Sequence, residues 1–146
     1  MPPRSRTRLF LFACVFAVGF TTTAGAADYA SEISAYRHAH GQTAVKSDNR
    51  LDAVALKQAR AMASTGTVSH FVAGGFPSRI ASLHKLKAAE NIGGGFLTFK
   101  EMLKQWEDST GHRENLLMPG ARRIGVAYAD NPKSPYRKFW AMVITD

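Results

Sequence analysis

The apolar positions of this chain fall into one continuous run near its start, several stripes of helical period, and two strand-like segments at its end. The continuous run is Leu9 to Phe20. Further on, Tyr29, Ile33 and Tyr36 recur on one face of a helix predicted from Asp28 to His40, with Asp28 as its cap and Gly41 as its stop. A loop through Lys46 and Ser47 follows. Leu51, Ala55, Ala59 and Met62 then fall at i, i+4, i+8 and i+11, predicting a second helix from near Asp48 to Gly66. Pro77-Ser78-Arg79-Ile80 starts a short helix ending near His84. Thr98 and Glu101 form a capping box for a helix whose buried face is Phe99, Met102, Leu103 and Trp106. His112 to Leu117 supplies one or two further turns. Glu90-Asn91-Ile92 stands before Gly93-Gly94-Gly95 and reads as the lip of a flexible turn.

After Pro119-Gly120 the period changes. Ile124, Val126 and Tyr128 alternate as one face of a strand does, and Phe139 to Ile144 is apolar throughout. The turn residues Asp130 to Pro135 lie between them, so the two segments predict an antiparallel hairpin. A last strand apolar on both faces calls for helices on both sides. The expected fold class is therefore α+β, with helices covering a small antiparallel sheet.

The opening run changes what counts as the folded domain. Arg4, Arg6 and Arg8 precede it, and Ala24-Gly25-Ala26 follows as an A-x-A cleavage site. At 12 residues the run suits a signal peptide and is short for a bilayer span. The expectation is a signal peptide over residues 1–26 and one exported domain over residues 27–146, periplasmic or extracellular, with no stable membrane span after cleavage. Cys14, the one cysteine, leaves with the signal, so the mature domain has neither a disulfide nor thiolate chemistry. Loss of the three arginines takes Lys+Arg from 19 to 16 against 11 Asp+Glu, a net of +5 rather than +8. The positives are scattered along the sequence with no long run. They favour weak contact with anionic envelope polymers or lipid headgroups, and no motif points to nucleic acid.

Five histidines remain as candidates for chemistry. His38 and His40 suit the C-terminal end of the first helix, where the dipole favours a positive imidazole. His84, among Lys85 and Lys87, reads as a surface residue. His70 and His112 each lie at a break between elements, as does Glu90, and such positions display functional side chains. Two imidazoles and a carboxylate can bind a divalent metal of the zinc type or act as a metal-free acid–base pair. Spacing alone leaves both open. Arg113 and Asn115 flank His112 and are expected to serve structure.

Three segments carry a resemblance. Ser69-His70-Phe71, Glu90-Asn91-Ile92 followed by Gly93, and Trp106 to Leu117 (WEDSTGHRENLL) are similar to the bacterial branch of the CAP superfamily, which groups cysteine-rich secretory, antigen 5 and pathogenesis-related 1 proteins. The closing Ile124-Gly125-Val126 and Phe139-Trp140 resemble that family's last strands. The resemblance implies a three-layer α-β-α sandwich with a central cleft holding a His-Glu-Glu-His tetrad, which in some members binds zinc or another divalent cation. His70, Glu90 and His112 match three tetrad positions, and these three are the implied metal ligands. The second glutamate is replaced by Ser109, a polar cleft neighbour. A missing carboxylate weakens metal affinity. The implied function is a secreted or periplasmic, non-enzymatic binding module whose His/Glu cleft can hold a divalent cation and a lipid-like or envelope ligand. The alternatives are a metal-dependent hydrolase using the same cleft, and a cluster that only pins loops. No nucleophile in a recognisable elbow or triad context is present.

Overall fold

The computed structural model describes residues 24–146, with side chains from Tyr29 onward. The expected signal peptide falls largely on residues 1–23, outside the described residues. The helices are α1 (Ala24–Ala39), α2 (Asn49–Thr65), α3 (Phe76–Ile80), α4 (Phe99–Asp108) and α5 (Thr110–Leu116). The strands are β1 (Lys46–Ser47), β2 (Ala88–Gly94), β3 (Arg123–Asn131) and β4 (Arg137–Thr145).

Local chemistry accounts for most element boundaries. Asp48 caps α2 by accepting from the Arg50 amide, and left-handed Gly66 closes it. Thr98 and Glu101 form the expected reciprocal capping box on α4. The helix opened by Pro77 runs into a 3₁₀ turn, Ala81–Leu83, that ends at His84. One boundary differs: α1 begins at Ala24, so Asp28 lies inside the helix rather than capping it. Alanines at 24, 26 and 27, the strongest helix formers, carry the helix back past the aspartate.

The sheet has the order β1-β3-β4-β2. The predicted hairpin is present, with β3 and β4 antiparallel in the register Ile124↔Ile144 and Val126↔Met142. Two features differ from expectation. The segment Lys46–Ser47 forms a short parallel edge beside β3, held by Lys46 N–H to Arg122 O and Asp48 N–H to Ile124 O, so the sheet is not wholly antiparallel. Residues 88–94 form a full strand against β4 rather than a flexible turn. The glycines serve close packing there. A Cβ on Gly93 would stand 2.5 Å from the Met102 side chain, so α4 rests directly on the strand.

β4 shows why its residues are apolar throughout. Trp140, Met142 and Ile144 face a cluster built from α1, α4 and α5 with Ile33, Phe99, Met102, Trp106 and Leu116. Phe139, Ala141 and Val143 face α2 through Leu51, Ala55, Ala59 and Met62. At Gly125 an added Cβ would lie 2.1 Å from the Leu51 backbone, so α2 sits against β3 with no intervening side chain. The result is a three-layer α-β-α sandwich with one core on each side of the sheet. Among the described residues, both cores are drawn from positions 29–144.

Candidate functional site

The site grows from β2, an outer strand of the sheet whose backbone groups need partners beyond β4. Side chains supply two of them: Trp106 Nε1–H donates to Ile92 O at 3.0 Å, and Asn115 Nδ2–H to Glu90 O at 3.3 Å. Asn115 also donates to Asn91 Oδ1 at 2.9 Å, while Asn91 donates to the carbonyl of His112 at 2.9 Å. These bonds dock α5, and with it His112, against the strand. On the other flank buried Gln58 of α2 donates to Ser69 O at 2.7 Å and holds the loop that carries His70.

Glu90 projects where these pieces meet. Its side chain is 2% exposed, and both carboxylate oxygens are engaged. Arg79, on α3 and 3% exposed, grips it with two nitrogens, Nη1 to Oε2 at 2.7 Å and Nη2 to Oε1 at 2.8 Å. His70 Nδ1 lies 2.8 Å from Oε1. Arg79 further donates to Gly74 O at 3.0 Å and His70 O at 3.3 Å, so one guanidinium ties the carboxylate to the loop around it. Burial pushes the Glu90 pKa up, but hydrogen bonds from His70 and Arg79 and the charge of Arg79 outweigh it, and the carboxyl sits below its ordinary range. Glu90 is therefore an anion in a fixed place.

The imidazoles are less committed. The His70 side chain is 44% exposed, with Phe71 beside it 78% exposed. His112 is half-buried; desolvation, and then the charge of His70, lower its pKa, which favours the neutral ring. Its Nδ1 is buried without a hydrogen-bond partner. The structure thus brings His70 and Glu90 into direct contact and sets His112 within electrostatic reach of His70. Ser109 stands at the junction of α4 and α5, lining a groove with Phe96, Lys104 and Gln105. His38, His40 and His84 are exposed.

The three expected metal ligands do not fit a zinc ion as arranged. A cation at Glu90 would compete with a guanidinium that already neutralises it in bidentate geometry. Among the described residues no group of three or more His, Cys, Asp or Glu is placed to hold a metal. Two imidazoles remain, fewer than the three protein ligands of a catalytic zinc site. Arg79 has no signature in the sequence: it is a lone arginine in a short helix, and its partner lies 11 residues on, in a strand set by tertiary pairing.

Comparison with known proteins agrees with this architecture. The family model for the cysteine-rich secretory protein family, CAP, matches residues 30–144. A Bacillus subtilis protein named YkwD is 46% identical over 44 residues, 30% of this chain and 17% of that protein's length. An outer surface protein of Borrelia burgdorferi superposes with a TM-score of 0.70 at 21% identity, over 81% of this chain and 88% of that one. An extracellular protein containing an SCP domain from Bacillus anthracis gives 0.70 at 23% identity, over 81% and 39%. At such identities the structures speak for the fold alone. The family match spans both cores, β2 and α5, and this chain belongs to the cysteine-rich secretory protein (CAP) family.

Proposed function

We propose that this domain is an exported binding module and not a hydrolase. The observation that carries the reading is the saturation of Glu90. The metal-dependent hydrolase weighed above would need Glu90 free to take a proton from water or to help hold the metal. Glu90 is charged, buried and occupied on both oxygens, so its work is to fix His70 and α3 in place. What the cleft offers a ligand is a pair of imidazoles, one with a buried nitrogen lacking a partner, beside the exposed ring of Phe71. That combination suits an amphipathic occupant of the cell envelope, with a polar head at the imidazoles and an apolar portion along Phe71. A divalent cation would find only the two nitrogens. Extracellular and outer-surface proteins among the structural neighbours, and the signal-like residues 1–26, support an envelope or extracellular location.

The test is an amide and imidazole NMR titration of residues 27–146 with monomeric lysophosphatidylglycerol, run beside peptide and ester substrates with and without zinc. Saturable shifts at His70, Phe71 and His112, with no turnover, are expected. Zinc-dependent turnover lost in Glu90→Gln, with that variant still folded, would replace the binding reading by the hydrolase.

A further inference from the structure

Away from the cleft, and independently of its reading, the fold gathers basic residues that the sequence scatters. Lys85, Leu86 and Lys87 form the bend between the 3₁₀ turn and β2, opened by His84 in the left-handed region at φ 50°. Arg122 and Arg123, at the entry to β3, line the same surface as His84, Lys85 and Leu86. Lys46 adjoins it, paired in register with Arg123 and sharing a groove with Arg122. Five cations from three separate stretches therefore meet at one end of the sheet. The acids near this surface are Asp146, whose carbonyl accepts from Lys85 at 2.9 Å and whose carboxylate accepts from the Lys87 amide at 3.4 Å, and Asp48, whose carboxyl feels the charge of Arg123. Among the described residues Lys46, Lys87, Arg122 and Arg123 take no part in an ion pair. At the apex stands Leu86, 93% exposed.

We propose that this end of the domain docks on an anionic phospholipid bilayer, with the cations against headgroups and Leu86 entering the acyl boundary. Charge complementarity selects an anionic partner. Leu86 selects a bilayer over a soluble polyanion, because only the bilayer offers an apolar layer below its charge. Lysines and arginines in excess over the nearby acids are each attracted to such a surface and lose that attraction within a Debye length. A single leucine gives shallow, reversible attachment.

The experiment is co-sedimentation of residues 27–146 with vesicles of phosphatidylglycerol and phosphatidylcholine, against phosphatidylcholine alone. Binding is expected only with the anionic vesicles, and raised salt should release it. Each cation removed should weaken binding about fivefold, so Lys85→Gln/Lys87→Gln should lose roughly 25-fold. Lys57→Gln/Lys100→Gln, with the same net charge but both changes outside the patch, should bind like the parent. Leu86→Trp should shift its emission to the blue on anionic vesicles, against native tryptophans 106 and 140 that are already buried. An equal loss in the two charge-matched variants would overturn the patch in favour of general basicity. Sedimentation without a blue shift would overturn bilayer insertion and leave simple polyanion adsorption, and absence of sedimentation would overturn the docking altogether.

Discussion

Replacing Arg79 with methionine would leave the Glu90 carboxylate buried with its bidentate partner gone. Arg79 and Glu90 are 3% and 2% exposed, so water cannot take over the guanidinium's place at low cost. Removing one member of a buried pair costs about 3–5 kcal/mol, and two carbonyls, of Gly74 and His70, lose a donor as well. One escape limits the loss. Without Arg79, only His70 opposes the upward push of burial, so the Glu90 carboxyl takes a proton more readily, at about 1.4 kcal/mol for each unit by which it titrates below the ambient pH. The expected loss is therefore about 3 kcal/mol near pH 7.5, shrinking as pH falls toward 5. The parent adds to the same trend at lower pH: its Glu90 pKa is depressed, so the pair's contribution is present above the unfolded carboxyl pKa and is lost as pH drops through the folded one. Urea unfolding of residues 27–146 at several pH values reads both trends as midpoint shifts at constant slope. Adding Glu90→Gln to Arg79→Met should recover much of the loss. A cost below about 1 kcal/mol that ignores pH would place the pair with ordinary surface bridges and refute the reasoning.

Three further outcomes are expected. Arg79→Met also removes the guanidinium that competes with a cation for Glu90, so calorimetry should show the variant binding zinc more tightly than the parent; equal affinities would contradict the role given to the guanidinium. His112 has a folded pKa below its unfolded value near 6.5, so stability should fall as pH drops below that value, and His112→Gln should flatten this slope. An imidazole NMR titration that places His112 above the ordinary histidine value would count against it. Gly125→Ala should cost well over the ~1 kcal/mol typical of a point substitution, because the new methyl meets the α2 backbone 2.1 Å away; a near-unchanged melting temperature would show that α2 can shift.

The elements readable in the sequence were those whose signal is local. Asp48 and Gly66 bracket α2, Thr98 and Glu101 open α4, and the alternation of Ile124, Val126 and Tyr128 marks β3; each rests on residues a few positions apart. β2 was not readable. Its AAENIGG has neither alternation nor β-branched enrichment, and it is a strand because β4 pairs along it and α4 packs onto Gly93. The candidate site divides in the same way. His70, Glu90 and His112 stood out by residue type, by position at breaks and by family resemblance. Arg79 did not, since its meaning comes from a tertiary contact with a residue on another element. The basic end is a similar case, assembled from residues 46, 85, 87, 122 and 123 by the topology of the sheet.

The family fold leaves the chemistry of the site to its side chains. The account turns on whether Glu90 belongs to Arg79 or to a metal. The most direct measurement is a zinc titration of the parent domain near pH 7.5, followed through the Arg79 Nε–H resonance and the ring nitrogens of both histidines. Glu90 held by Arg79 predicts weak binding that moves the imidazole signals and leaves the Arg79 signal in place. Stoichiometric, sub-micromolar binding that displaces the Arg79 signal would make Glu90 a metal ligand and contradict the account.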